Sequence, residues 1–330
     1  MNWDSLISGF REFGGTINNI TQRNGPFGLG LFPIDVSKPV ELRVPDQLLV
    51  STENIALVNG QITLKDSHNY PTGFNKWYQD FQKHYSWGAD GRRSIEFFEN
   101  ELTKLPGDAI NLLQRFGLYN EKLRSNPHND ENKILDRFIA TRRINKNGKN
   151  VLMPLMELAN HSANASTWGF TDTSIFVSGQ YTEEILVRYS PSDPLHRLLQ
   201  YGFCCDEPMA FSIALNFAHY GENIVVIGGI GYQPQTSCEI QRNQNSVRID
   251  KPIIGIKTAK RKPRSLFLSA CKEAGIRHGD ELFDKIHMFN TKAMLKLYKS
   301  VQGENTWAAL QLREACLNQL NMLTEHIGVR

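Results

Sequence analysis

The chain has 330 residues, 40% hydrophobic and 22% charged, with 18 Phe, 10 Tyr and 5 Trp; this is ordinary globular usage for about two domains and excludes a disordered, collagen-like or coiled-coil protein. The formal net charge is +3, yet residues 227–330 hold 16 Lys and Arg against 9 Asp and Glu, so an acidic partner would meet the C-terminal third. Five cysteines (Cys204, Cys205, Cys238, Cys271, Cys316) lack paired metal-ligand spacing, and no basic leader or run of ~18 apolar residues occurs; the expectation is a cytoplasmic protein with no disulfide framework, no metal and no membrane segment.

In chain order, residues 14–64 alternate short β-rich runs with turn formers, placing strands at 16–17, 29–34, 40–44 and 48–50. Phe74, Trp77, Tyr78, Phe81 and Tyr85 then fall at helical spacing, an amphipathic stripe read as core packing. Phe98, Leu102 and Leu105 predict a second helix capped at Ser94, a polar segment spans 120–132, and 134–139 is helix-like. Strands are expected at 174–177, 185–189 and 213–217. Beyond Pro263 helices dominate, at 266–274, 293–298 and about 306–323, where Ala309, Leu312, Cys316, Leu320 and Leu323 keep helical spacing.

The glycines of Val225-Val226-Ile227-Gly228-Gly229-Ile230-Gly231 superficially suggest a nucleotide loop. Such a loop should open a helix facing the phosphates, whereas Tyr232-Gln233-Pro234-Gln235 follows, so a β-turn is expected. P-loop, HExxH and GxSxG patterns are absent, which removes the usual support for nucleotide hydrolysis, zinc proteolysis and α/β-hydrolase chemistry. The basic run Lys257, Lys260, Arg261, Lys262 and Arg264 reads better as a solvated surface than as a nucleic-acid site, and no nucleic acid is expected as a partner.

Four further segments carry chemistry only in combination. Gly25-Pro26-Phe27-Gly28-Leu29-Gly30 sets glycines between apolar residues, as a tight turn or a close approach of backbone requires. The apolar run from Leu152 ends in Asn160-His161-Ser162, groups that can present donors and acceptors to a ligand. Glu184-Ile185-Leu186-Val187-Arg188-Tyr189 and Leu198-Leu199-Gln200-Tyr201-Gly202-Phe203 each end an apolar run in a tyrosine.

In this order, Gly28-Leu29-Gly30, Asn160-His161-Ser162, Tyr189 and Tyr201-Gly202-Phe203 resemble the SET-domain protein methyltransferases. The helical interruption resembles the split-SET group, which includes the plant Rubisco large-subunit lysine methyltransferase and the actin histidine methyltransferase. Glu41-Leu42-Arg43-Val44-Pro45 and Thr141-Arg142 resemble further pieces of that pattern. The motifs span residues 14–225, and 226–330 match in general character. The resemblance implies an α+β protein: a mainly β SET fold from 1–65 and 136–225, an inserted helical block at 66–135, and a mainly helical C-terminal domain at 226–330.

The same resemblance implies that S-adenosyl-L-methionine is the cofactor. Backbone around Phe27, Gly28 and Leu29 would meet its methionine part, Arg142 its carboxylate, and Asn160 with His161 its amine and adenine. Phe203 would lie on the adenine, Glu157 stands where the plant enzyme has Asp, and Tyr189 and Tyr201 are the catalytic candidates shaping the passage where methyl donor and acceptor nitrogen meet. The implied activity is N-methylation of a protein side chain, lysine first, with histidine or a catalytically silent protein-interaction module as alternatives; the implied partner is a protein substrate. Two departures stand out: Ser190-Pro191 where Gly usually follows the tyrosine, and Asp193 or Pro194 where Asn is common.

Overall fold

A computed structural model describes residues 1–118, 131–229, 238–259 and 261–324. Nearly all of the polar segment 120–132, the turn at 230–235, and Lys260 of the basic run lie outside those residues. The chain forms an α+β structure of two compact units, Met1–Phe97 with Asn126–Tyr189, and Phe98–Ser125 with Ser190–Arg330. These divisions differ from the expected borders at 65/66, 135/136 and 225/226. Residues 66–97 group with the first unit, and 98–118 with 190–225 join the second, because the aromatic stripe and the residues after it bury their apolar faces in different cores.

In the first unit Val40–Pro45 is the central strand, and its apolar residues alternate with half-buried polar ones. It pairs antiparallel with Thr16–Asn18 on one side and Ser174–Gly179 on the other, with Ile17 opposite Leu42 and Ile175 opposite Val44. Hairpins Ile20–Gly25/Gly28–Pro33 and Ile55–Val58/Gln61–Leu64, and the set Val50–Ser51, Lys149–Leu152 and Ile144–Lys146, complete the β structure. The helix Phe74–Tyr85 buries Phe74, Trp77, Tyr78 and Phe81, each worth about 1.5–3 kcal/mol of apolar transfer. It packs on the helix Trp3–Glu12 through Gly9, where a Cβ would come within 2.7 Å of Trp77, and Trp77 Nε1 donates to Leu6 O at 2.9 Å. Ser94 is not a cap: the helix Arg92–Leu102 continues directly from a wide turn at Trp87–Gly91, and Ser94 Oγ donates one turn back to Asp90.

After residue 226 the second unit carries, besides its helices, short strands that the sequence reading did not place. Glu222–Ile227 pairs with Leu215–His219 and runs parallel to Ser246–Asp250, which pairs with Glu239–Arg242; Met209–Phe211 pairs with Ile253–Ile256. Val247 and Ile249 are buried while their neighbours are not, a period of two that runs for too few residues to stand out in sequence. The helices Lys262–Glu273, Gly279–Ser300 and Trp307–Thr324 follow, and their apolar faces join the core of this unit. No helix among the described residues is long and apolar enough to cross a membrane. The basic run leads into the helix Lys262–Glu273: Lys257 before it pairs with Asp206, and Arg264 in its first turn with Asp280 at 2.9 Å and Asp284 at 2.6 Å.

Candidate functional site

Eight of the ten residues singled out in the sequence, Phe27, Gly28, Leu29, Arg142, Glu157, Asn160, His161 and Tyr189, belong to the first unit. The hairpin supplies the first three. Gly25 faces Gly28 across a two-residue loop, so Pro26 and Phe27 form its tip and Phe27 is exposed. Gly28 has φ +89° with nothing near its missing Cβ, so glycine serves the backbone conformation there. Gly30 serves space instead: a Cβ would lie 2.0 Å from Glu184 Oε1 and 2.8 Å from Asn160 Nδ2. Gly30→Ala should therefore cost about 1–3 kcal/mol by overpacking, whereas Gly107→Ala, at an open helix start, serves as a neutral control. Chemical denaturation of the two variants measures the difference, and equal stabilities would contradict the packing seen at Gly30.

After the strand Lys149–Leu152 the fully buried Leu155 takes φ +65°, a conformation that costs a non-glycine residue about 1–3 kcal/mol and is held only by its surroundings. This reversal feeds the short turn Met156–Leu158 and aims two polar side chains. Glu157 Oε1 accepts from Ser86 Oγ at 2.6 Å and from Gln82 Nε2 at 3.0 Å. Burial pushes the Glu157 carboxyl above its usual range, opposed by the Ser86 hydrogen bond and the Arg142 charge. Arg142, last in the helix Glu131–Arg142, lies with its guanidinium carbon 4.0 Å from the Phe138 ring centre; burial pulls its pKa down, and the Glu157 charge pushes it back up. Glu157 Oε2 and Gln82 Oε1 are buried acceptors with no hydrogen-bond partner among the described residues. A guanidinium beside unsatisfied acceptors suits a ligand that carries both a carboxylate and a cationic donor.

Asn160 donates from Nδ2 to Leu29 O at 3.1 Å and to Glu184 Oε1 at 2.6 Å, tying the turn to the hairpin. The expected strand at 185–189 is not a continuous ladder. Its backbone is clasped by two segments: Ile185 N–H donates to Leu31 O, Val187 N–H to Asn160 O, and Val187 O accepts from Ser162, leaving one parallel bridge between His161 and Val187. That clasp brings Tyr189 beside His161. His161 Nδ1 accepts the Tyr189 backbone N–H at 3.2 Å, which assigns the neutral tautomer with its proton on Nε2. The Tyr189 hydroxyl donates to Ala159 O at 2.9 Å, and its ring lies 5.1 Å from that of His161 and nearly parallel to Trp168 at 6.4 Å. With its proton committed to Ala159, the phenol oxygen meets any further donor as an acceptor.

Tyr201 and Phe203 belong to the second unit. Tyr201 ends the helix Pro194–Tyr201, Gly202 caps it at φ +82°, and the Tyr201 and Phe203 ring centres are 6.2 Å apart. The departures at 193 and 194 have a local cause. Asp193 is the N-cap, accepting from His196 N–H at 2.8 Å, and Pro194 sits in the first turn, where no amide hydrogen is needed.

Sequence reasoning missed Glu184, Gln82, Ser86 and Trp168. Gln82 was detectable as a polar residue four after Tyr78 on the apolar stripe, and Glu184 as a carboxylate opening an apolar run; Ser86 and Trp168 gave no signal.

No protein-family model matches the chain, and no curated protein matches it. Among solved structures it is similar, at 14% identity, to the SET domain of LSMT bound to lysine and AdoHcy (all of this chain, 91% of that one, TM-score 0.42). It is similar at the same identity to Rubisco LSMT bound to sinefungin and monomethyllysine, and to Rubisco LSMT bound to AdoMet (99% of this chain and 90% of each, TM-scores 0.44 and 0.45).

Proposed function

We propose that the chain is an S-adenosyl-L-methionine-dependent protein N-methyltransferase acting on a lysine side chain of a protein substrate. The observation that carries this reading is the meeting, in one unit, of the glycine hairpin, the Asn160–His161 turn and the Tyr189 hydroxyl through the Asn160–Leu29 and His161–Tyr189 hydrogen bonds. When bound, S-adenosyl-L-methionine supplies an electrophilic methyl on a sulfonium sulfur, so that the C–S bond breaks towards sulfur as the N–C bond forms.

The residues in place suit such a ligand. Arg142 would meet its carboxylate, and the unsatisfied Glu157 Oε2 its amine. In-line displacement asks the protein mainly to align two groups and exclude water. A positive sulfonium beside the acceptor would favour the neutral form of a lysine, whose reference pKa is about 10.4. Tyr189, its proton held by Ala159 O, orients the amine through its oxygen lone pairs and need not be a strong base.

Calorimetric titration with S-adenosylmethionine and S-adenosylhomocysteine tests the reading, with Asn160→Ala as control. The wild type should bind both. The variant should bind about tenfold or more weakly, the worth of a charge-assisted hydrogen bond. A wild type that binds neither ligand would remove the basis for methyl transfer.

A further inference from the structure

The buried carboxylate of Glu184 has no part in the chemistry described so far. The residue is 7% exposed, and its side chain occupies the space that side chains at two hairpin positions would fill: a Cβ on Gly30 would lie 2.0 Å from Oε1 and one on Gly25 2.9 Å from Oε2. One oxygen, Oε1, accepts from Asn160 Nδ2 at 2.6 Å. The other, Oε2, is buried with no hydrogen-bond partner among the described residues. Burial raises the carboxyl above its usual range, and the Asn160 hydrogen bond lowers it. A buried carboxylate half satisfied in this way is costly unless something offsets it.

The orientation of Asn160 follows from Glu184. Both partners of Nδ2, a carboxylate oxygen and the Leu29 carbonyl, can only accept, so the amide has one consistent assignment. Nδ2 then spends both hydrogens on the protein, and Oδ1 is the atom left for a ligand. Asn160 is half-buried, and its Oδ1 is not among the fully buried side-chain atoms left without a partner, so that oxygen can be reached. A turned amide would instead set oxygen against oxygen at 2.6 Å. The ligand-facing side of Asn160 is therefore an acceptor backed by a negative charge, which attracts a cationic N–H donor and repels a carboxylate.

We propose that Glu184 is a positioning residue that locks the Asn160 amide with its oxygen outward, so that this part of the site selects the α-ammonium end of an amino-acid ligand. The assignment rests on the cofactor reading above, where the ligand is an adenosyl amino acid.

The test measures the affinity of wild type, Glu184→Ala and Glu184→Gln for three probes. They are S-adenosylhomocysteine, its analogue with the α-amino group replaced by hydrogen, and 5′-methylthioadenosine, which lacks the amino acid. Glu184→Ala frees the amide and should weaken S-adenosylhomocysteine about tenfold or more. Glu184→Gln keeps an oxygen for Asn160 Nδ2 and should regain most of that loss. The two probes without the amine should change less than about twofold in either variant, a selectivity that general loosening of the fold cannot produce. Equal weakening of all three probes, or no weakening in Glu184→Ala, overturns the assignment and leaves the cofactor reading intact. A wild type that binds none of the three overturns both. Thermal melts of the variants separate misfolding from selective loss; if the alanine variant fails to fold, Glu184→Leu, of similar volume but unable to accept from Asn160 Nδ2, carries the test with the same expected loss for S-adenosylhomocysteine alone.

Discussion

Tyr189→Phe is expected to lower methyl transfer by about 10²–10³-fold, in line with the loss of one pre-positioned polar group at a reacting centre, while changing cofactor affinity less than about threefold. The substitution keeps the ring between His161 and Trp168 and the backbone N–H that orients the imidazole, because both contacts belong to parts of the residue that phenylalanine retains. It removes the oxygen and its bond to Ala159 O, and with them the acceptor offered to the incoming nitrogen. Single-turnover transfer of a labelled methyl group into proteins of a cell extract, set beside titration of S-adenosylhomocysteine, separates the two effects. Turnover at the wild-type rate in Tyr189→Phe would remove Tyr189 from the chemistry.

Arg197→Leu should be the most destabilising single change considered, at about 3–5 kcal/mol, because it removes the buried guanidinium that neutralises a buried carboxylate. Arg197 is fully buried in the second unit and Glu207 is 1% exposed. The guanidinium bonds Glu207 Oε1, donates to Ser190 O at 2.9 Å and lies 4.7 Å from the Tyr201 ring centre. Replacing both charges with leucines should recover most of the loss, since an apolar pair of similar volume needs no compensation for lost hydration. Denaturant unfolding of the single and double variants measures this. A cost below about 1 kcal/mol for Arg197→Leu would mean that water reaches Glu207.

What was legible in the sequence was local. The stripe Phe74, Trp77, Tyr78 and Phe81 marks the helix Phe74–Tyr85, and the alternation at Val40–Pro45 marks the central strand, since each pattern needs only a few consecutive residues. The glycine hairpin, Asn160-His161 and Tyr189 were visible as types in an order. Why they belong together was not visible, because the contacts joining them cross large separations: 131 residues from Asn160 to Leu29, 28 from Tyr189 to His161, and 75 from Gln82 to Glu157.

The same distinction explains the corrections. Residues 185–189 have the composition of a strand, yet their backbone groups divide between two partners, so a single ladder never forms. The short strands Glu239–Arg242 and Ser246–Asp250 exist because Glu222–Ile227 offers Ser246–Asp250 a parallel edge, and Ile253–Ile256 because it pairs with Met209–Phe211, partners no local window contains.

By itself the sequence determined the faces of the helices it marked, a minority of the strands, among them Gly28–Pro33, Val40–Pro45 and Ser174–Gly179, and the ordered set of polar residues, all of which follow from periodicity and residue type. Only the tertiary structure decided where the chain divides into units, that Gly30 is needed for space and Gly28 for conformation, and that Glu184 turns the Asn160 amide. Those outcomes depend on which distant atoms come within a few ångströms, and burial, close packing and hydrogen-bond satisfaction settle that across the whole chain at once.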